Sequence, residues 1–218
     1  MSTFLFDSIV FGPVHSRRLG VSLGINLLPV TRKVCSFNCI YCECGWTPGK
    51  PGPKEKLPTR SEVRDALRKK LSGMKEQGKA PDVITYAGNG EPTLHPDFAV
   101  IIDDSLALRD EFFPAAKVSV LSNGSMLRLK SVREALKKVD QNMLKLDSAL
   151  PDTVRQINQP HVKTDLARYE EYIREFKGRF IIQTLFVRGE CDGRTVDNTT
   201  EEEITAWLEA ISRLRPQQ

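Results

Sequence analysis

Four cysteines within ten residues constrain this chain more than anything else in its sequence. The run reads Cys35-Ser-Phe-Asn-Cys39-Ile-Tyr-Cys42-Glu-Cys44, and the fifth cysteine, Cys191, is remote. Thiols two or three residues apart do not bridge readily to one another, but they can converge on one inorganic centre. An odd count with one tight group also departs from the even, scattered pattern of a disulfide framework. Two occupants are open at this point. Four thiolates could close a tetrahedral zinc site, or three could hold a four-iron cluster and leave one iron free for a ligand. Structural zinc sites usually join two short knuckles across a longer segment. This chain has no second pair and no histidine beside the run, so the spacing favours iron and sulfur.

The rest of the chain alternates between two periodicities. Strand-like runs fall at Gly20–Leu28, Val83–Ala87, Lys117–Ser122, Asn142–Asp147 and Phe180–Val187. Helix-like stripes fall at Ser61–Leu71, Pro96–Arg109, Lys130–Lys138, Asp165–Phe176 and Glu201–Leu214. Such alternation implies right-handed crossovers and a parallel sheet. Polar punctuation follows each strand in turn. It comprises the cysteine run, Gly88-Asn-Gly-Glu-Pro92, Ser122-Asn-Gly124, Lys145 with Asp147 and Ser148, and Arg188-Gly-Glu-Cys191. In a parallel sheet or barrel, ligands gather at those carboxyl ends.

Apolar content of 40% is too high for a disordered polymer, and no apolar run approaches a membrane span. The start, Met-Ser-Thr-Phe-Leu-Phe-Asp, lacks a basic region before its apolar residues, so a cytoplasmic protein without a membrane partner is expected. Residues 1–58 hold seven Lys/Arg against three acids, which accounts for the whole net charge of +4. A basic segment of that kind can attract nucleic acid or another anionic ligand.

Three motifs together carry a family resemblance. Phe11-Gly-Pro-Val-His-Ser-Arg-Arg-Leu-Gly20, the cysteine run through Cys42, and Gly88-Asn-Gly-Glu-Pro-Thr-Leu-His-Pro96 resemble the radical S-adenosylmethionine (SAM) superfamily. Within it, they are similar to a subgroup of small iron–sulfur oxidoreductases related to the tRNA wyosine synthases. The resemblance implies an α/β fold, a partial (βα) barrel, with residues 1–218 as a single core domain. Residues 1–19 would form an N-terminal extension, and 29–58 the cluster-binding loop with a flexible-looking insert at Thr47–Pro53. It implies a [4Fe-4S] cluster held by Cys35, Cys39 and Cys42, and SAM chelated to the remaining iron. It implies an external electron donor of flavodoxin or ferredoxin type. Reductive cleavage of SAM would then start radical chemistry on a substrate that is nucleic acid, such as tRNA, or a small molecule.

By position in the motifs, Gly88, Asn89, Gly90 and Glu91 inherit contacts to the methionyl end of SAM, with Asn89 standing where the commonest motif has glycine. Ser122 and Asn123 inherit contacts to ribose and carboxylate, and Tyr41 packing beside the adenine. Asp147, Ser148 and Gln183 point toward the same cofactor. His15, Arg17 and Arg18 either face a substrate mouth or solvate a loop, and His95 is expected in a turn or cap. Cys44 and Cys191 are expected bystanders, although Cys44 would complete the alternative, a non-enzymatic zinc module. A barrel of this type wants six strands. The sequence supplies five, so a sixth is apparently missing and the exposed edge would need cover from a partner.

Overall fold

A computed structural model describes residues 3–47 and 56–218; the expected insert beyond Thr47 lies outside the described residues. The sheet is built from β1 (Val10–Ser16), β2 (Gly20–Ile25), β3 (Val83–Tyr86), β4 (Lys117–Ser122), β5 (Gln141–Lys145) and β6 (Ile181–Gln183). They lie side by side in chain order. β2 to β6 are parallel, and β1 folds back antiparallel on β2. Each crossover moves to the adjacent strand, so the helices collect on one face. These helices are α1 (Arg60–Glu76), α2 (Phe98–Phe112), α3 (Lys130–Leu136), α4 (Pro151–Ile157), α5 (Leu166–Arg174) and α6 (Glu201–Leu214). This is the expected α/β architecture with five parallel strands.

The two faces of the sheet differ. Leu23, Ile25, Ile84, Tyr86, Val118, Val120 and Leu144 pack with Leu67, Leu71, Ile101, Ile102 and Ile173 in one apolar core. Alternation puts the intervening residues on the opposite face, and these are mostly polar. Ser22 and Thr85 hydrogen-bond there across neighbouring strands at 2.8 Å, and Ser119 pairs in register with both Thr85 and Gln141. The same polar row runs up to Lys145 and Asn123 at the carboxyl ends, so the face not needed for packing delivers the site.

Four of these elements lie outside the sequence-based expectations. β1 lies within the expected N-terminal extension, and its Pro13 is tolerable because β1 is an edge strand with a register shift between Phe11 and Val14. Helix α4 begins on Pro151, a favoured first-turn residue. β7 (Arg188–Cys191) and β8 (Arg194–Asp197) form a hairpin around Asp192-Gly193, both at positive φ. That dipeptide is a strong hairpin signal in the sequence itself.

β6 is also shorter than Phe180–Val187. Its continuation is lost because side chains take the backbone donors: Leu185 N–H donates to Asp147 Oδ1 at 2.9 Å and Val187 N–H to Asn198 Oδ1 at 2.7 Å. The edge beyond β6 is not bare. Ile182 N–H donates to Gln218 O at 2.8 Å and Gln217 N–H to Phe180 O at 2.9 Å, so the chain itself covers part of the edge expected to need a partner.

Helix α1, which leads from the insert back to the core, starts on a capping box. Thr59 Oγ1 accepts from Glu62 N–H, and the Glu62 carboxylate accepts from Thr59 N–H at 2.7 Å. Replacing Thr59 with Ala should lower the unfolding free energy by about 1 kcal/mol. Denaturant titration checks this, and an unchanged midpoint would show that the cap contributes nothing.

Candidate functional site

The cysteine run leaves the end of β2, and backbone on two sides fixes its course. On the first side, Val34 forms an isolated parallel bridge with Gly90. Val34 N–H donates to Asn89 O at 2.8 Å, and Glu91 N–H donates to Val34 O at 3.1 Å. Gly90 has φ of +138°, and a Cβ there would lie 1.9 Å from Val34 O. Only glycine allows both that conformation and that approach. On the second side, residues 36–40 zip onto residues 157–161 after α4. Ile40 N–H donates to Ile157 O at 2.9 Å, Asn38 N–H to Gln159 O at 3.2 Å, and His161 N–H to Ser36 O at 2.8 Å. The buried Lys33 closes the far end of the run by donating from Nζ to Gly45 O at 2.9 Å.

Nitrogen donors meet two of the sulfurs. Phe37 N–H lies 3.4 Å and Asn123 Nδ2 3.5 Å from Cys35 Sγ, and Asn158 Nδ2 lies 3.4 Å from Cys39 Sγ. All five cysteines are unbridged. Burial, aided by the nearby Glu91 charge, pushes the Cys35 thiol up to about 12. Burial also raises Cys39, while Lys145 and the Asn158 donor oppose the rise. Cys42 is held low, chiefly by a hydrogen bond from the Cys44 thiol and further by Lys33. Cys44 Sγ also lies 3.4 Å from Gly88 O.

Glu91 braces the turns after β3 and β4. Its buried carboxylate accepts from Thr93 N–H at 3.1 Å, the Thr93 hydroxyl, Ser122 Oγ at 2.8 Å and Asn123 N–H at 2.6 Å. Burial raises its pKa, and those four donors oppose the rise. Asn89 turns toward the N-terminal segment: Nδ2 donates to Phe6 O at 2.9 Å and Pro29 O at 2.8 Å, and Oδ1 accepts from Phe6 N–H. Its side chain is therefore a staple between segments.

Asp147 is the second buried hub. It accepts from the Tyr41 hydroxyl, from Asn158 Nδ2 at 2.6 Å and from Leu185 N–H, and Lys145 Nζ lies 3.4 Å away. Lys145 also donates to the Tyr41 hydroxyl at 2.5 Å and sits 4.9 Å from its ring centroid. Burial and the Asp147 charge raise the Tyr41 phenol. Ser148 faces away from this cluster, donating to Glu203 Oε2 on α6 at 2.7 Å and accepting from Leu150 N–H. Gln183 lies on β6 opposite Lys145 in register, with its backbone carbonyl accepting from Leu146 N–H.

Beside these residues lies a cavity of about 510 Å³, walled by the loop after β4, the end of β5, α4 and the start of α5. Asn123, Asp147, Ser148 and Asn158 line it, as does Phe37 from the cysteine run. His95 fills the expected turn role, with Nε2 against Pro58 O at 2.8 Å and Nδ1 accepting from Asp97 N–H. The expectation that His15, Arg17 and Arg18 could face the mouth is corrected. His15 is on β1, paired with Val21, and Arg17 and Arg18 occupy the β1–β2 turn; all three lie at the amino end of β2, whereas the cysteines follow its carboxyl end. Cys191 sits on β7, in register with Arg194.

Four polar residues missed from sequence turn out to hold the site: Asn26, Lys33, Asn158 and Asn198. Asn26 carried a signal, since its position at a strand end suits an Asx turn, and it accepts from Leu28 and Asn89 N–H. Asn158 and Asn198 carried none, because their partners Cys39 and Asp147 are distant in sequence.

Comparison with known proteins decides the family. A model described as the radical SAM superfamily matches residues 30–212. The chain belongs to the radical SAM superfamily. It is 32% identical over 211 residues to a protein named GTPase Obg from Brachyspira hyodysenteriae, covering 95% of this chain and 28% of that one. It is 34% identical over 188 residues to a UPF0026 protein of Helicobacter pylori, covering 84% and 58%. A UPF0026 protein of Synechocystis sp. is 32% identical over 215 residues, covering 95% and 72%. The chain thus spans 28% and 58% of the first two relatives. Archaeal TYW1 shares the fold at TM-score 0.52 and 15% identity, covering 88% of this chain and 61% of that one. A radical SAM methyltransferase from Sphaerobacter thermophilus does so at 0.56 and 14%, covering 87% and 53%.

Radical SAM enzymes use a [4Fe-4S] cluster and SAM. The donor set suits that cluster: three thiols share one loop, and side-chain amides are directed at two sulfurs. The family's enzymatic chemistry removes support from the non-enzymatic zinc module on Cys35, Cys39, Cys42 and Cys44. Replacing Glu91 with Gln would turn an amide N–H₂ toward donors that need an acceptor, and should destabilise the fold by about 1–3 kcal/mol. Chemical denaturation measures the loss; no change would refute the bracing role.

Proposed function

We propose that this chain is a radical SAM enzyme whose [4Fe-4S] cluster is held by Cys35, Cys39 and Cys42. What supports the reading most is the bridge that sets the cysteine run against the Gly88–Glu91 turn, 2.8 Å from Val34 N to Asn89 O. When bound, cluster and SAM supply reductive cleavage of a carbon–sulfur bond and a 5′-deoxyadenosyl radical able to abstract hydrogen. The chain's own residues hold, orient and shield. Gly88, Asn89 and Gly90 offer backbone at the close approach to the cysteine run. Asn123 reaches Cys35 and, at 2.9 Å, Ser36, and is the side chain best placed to meet a ligand beside the sulfurs.

Glu91 and Ser122 act mainly by fixing Asn123. Tyr41, with its phenol between Lys145 and Asp147, walls the loop and excludes water. Asp147 and Ser148 contribute through the shape of the wall, since their polar atoms already have partners, and Gln183 offers an amide from the neighbouring strand. The reading takes residues 1–218 as one radical SAM core, working in the cytoplasm with an electron donor of flavodoxin or ferredoxin type. No helix among the described residues is long and apolar enough to cross a membrane. The substrate is left between two classes, nucleic acid such as tRNA and a small molecule.

Anaerobic reconstitution tests the reading. The chain should take up about four irons, turn brown, and release 5′-deoxyadenosine from SAM under reduction. Cys42→Ala should lose the cluster, whereas Cys44→Ala should keep it. Equal loss in both variants, or stoichiometric zinc in place of iron, would overturn the assignment.

A further inference from the structure

The basic N-terminal segment was the sequence's candidate for receiving an anion, yet Arg17 and Arg18 lie at the wrong end of the sheet. Besides Lys145, which is paired with Asp147, three other cations stand at the right end. Arg128 comes from the segment after β4, Lys163 from the stretch joining α4 to α5, and Arg168 from the first turn of α5. All three are exposed and line the 510 Å³ cavity. Among the described residues none of them makes an ion pair. That sets them apart from Arg60, Arg68, Arg133 and Arg213, which pair with Asp104, Glu111, Glu175 and Glu170. The acid on the same stretch, Asp165, is engaged as the N-cap of α5, accepting from Arg168 N–H at 3.1 Å.

Deeper in, the wall is apolar, formed by Phe37, Leu146, Val154 and the ring of Tyr169, whose hydroxyl is occupied by Lys145 O at 2.6 Å. A concave, mostly apolar cavity with a few convergent charges is the form of a small-molecule site. A polyanion would call for an extended basic stripe, and three cations around one mouth match a single anionic group.

Resting on the radical SAM reading, we propose that this cavity receives the substrate. Its occupant is a small molecule with an apolar body and one anionic group, phosphate or carboxylate. Arg128, Lys163 and Arg168 receive the anion, and Phe37, Leu146, Val154 and Tyr169 receive the body. The position is apt for the chemistry. Phe37 belongs to the cysteine run, and Asn158, which also lines the cavity, contacts Cys39 Sγ. A bound molecule therefore lies one side chain away from the sulfurs, and shares Asn123 and Asp147 with the cofactor wall.

Calorimetric titration of the cluster-reconstituted chain with SAM present provides the test. Phenyl phosphate and benzoate serve as probes for the two anions, with phenol as the neutral control. At least one anion should bind saturably, with phenol weaker by about tenfold or more, and the preferred anion identifies the head group. The Arg128→Ala/Arg168→Ala double variant should weaken that binding by about tenfold, and Arg17→Ala/Arg18→Ala should leave it unchanged. Saturable binding of neither anion, phenol binding as tightly as the anions, or no loss in the Arg128/Arg168 variant overturns the proposal. So does a short single-stranded RNA that binds more tightly than either probe and depends on Arg17 and Arg18. Release of 5′-deoxyadenosine from SAM by the same samples separates the two failures. Absent release condemns the enzymatic reading, whereas release without anion binding condemns only this proposal.

Discussion

The contact on which the site depends is the approach of Val34 to Gly90. A parallel bridge at that point places the first cysteine beside the turn after β3, and a side chain at Gly90 would occupy the space of the Val34 carbonyl. Everything else in the site extends this contact. Glu91 follows Gly90 and carries the placement across to Ser122 and Asn123 on the next strand. The zip between residues 36–40 and 157–161 then holds the other flank of the cysteine run. Backbone hydrogen bonds, rather than side-chain packing, set the geometry of the loop, which suits a site whose own side chains must stay available for ligation.

Two buried carboxylates, Glu91 and Asp147, serve as hubs for the turns around that loop. Each is nearly or fully enclosed, and each gathers donors from segments far apart in sequence. A buried charge is costly unless it is hydrogen-bonded, so the donors and the carboxylate depend on one another. Such hubs make the strand ends rigid as a unit. That rigidity is what a cofactor site needs, because orientation is the protein's main contribution to cofactor chemistry.

The fold was legible because its signals are local. Among the described residues, the five parallel strands and five of the six α-helices follow from periodicity, and the elements missed were an edge strand broken by Pro13, the short α4 and a hairpin turning on Asp192-Gly193. The site was legible in part, through the motifs at Cys35–Cys42 and Gly88–Glu91. Charge counting along the chain could not tell which end of β2 would carry Arg17 and Arg18, since that depends on β1 folding back. Asn158 and Asn198 were invisible for a different reason. A lone amide declares nothing until the fold brings it to a sulfur or to a strand end.

The proposed function requires that three cysteines of this loop ligate a cluster whose remaining iron is open to SAM. Electron–nuclear double resonance on the reduced, reconstituted protein with SAM labelled by ¹⁵N in its amino group tests it most directly. A hyperfine coupling from the labelled nitrogen to the cluster is the predicted result, present in Cys44→Ala as well. A cluster signal without that coupling, or a coupling that vanishes when Cys44 is replaced, would contradict the account.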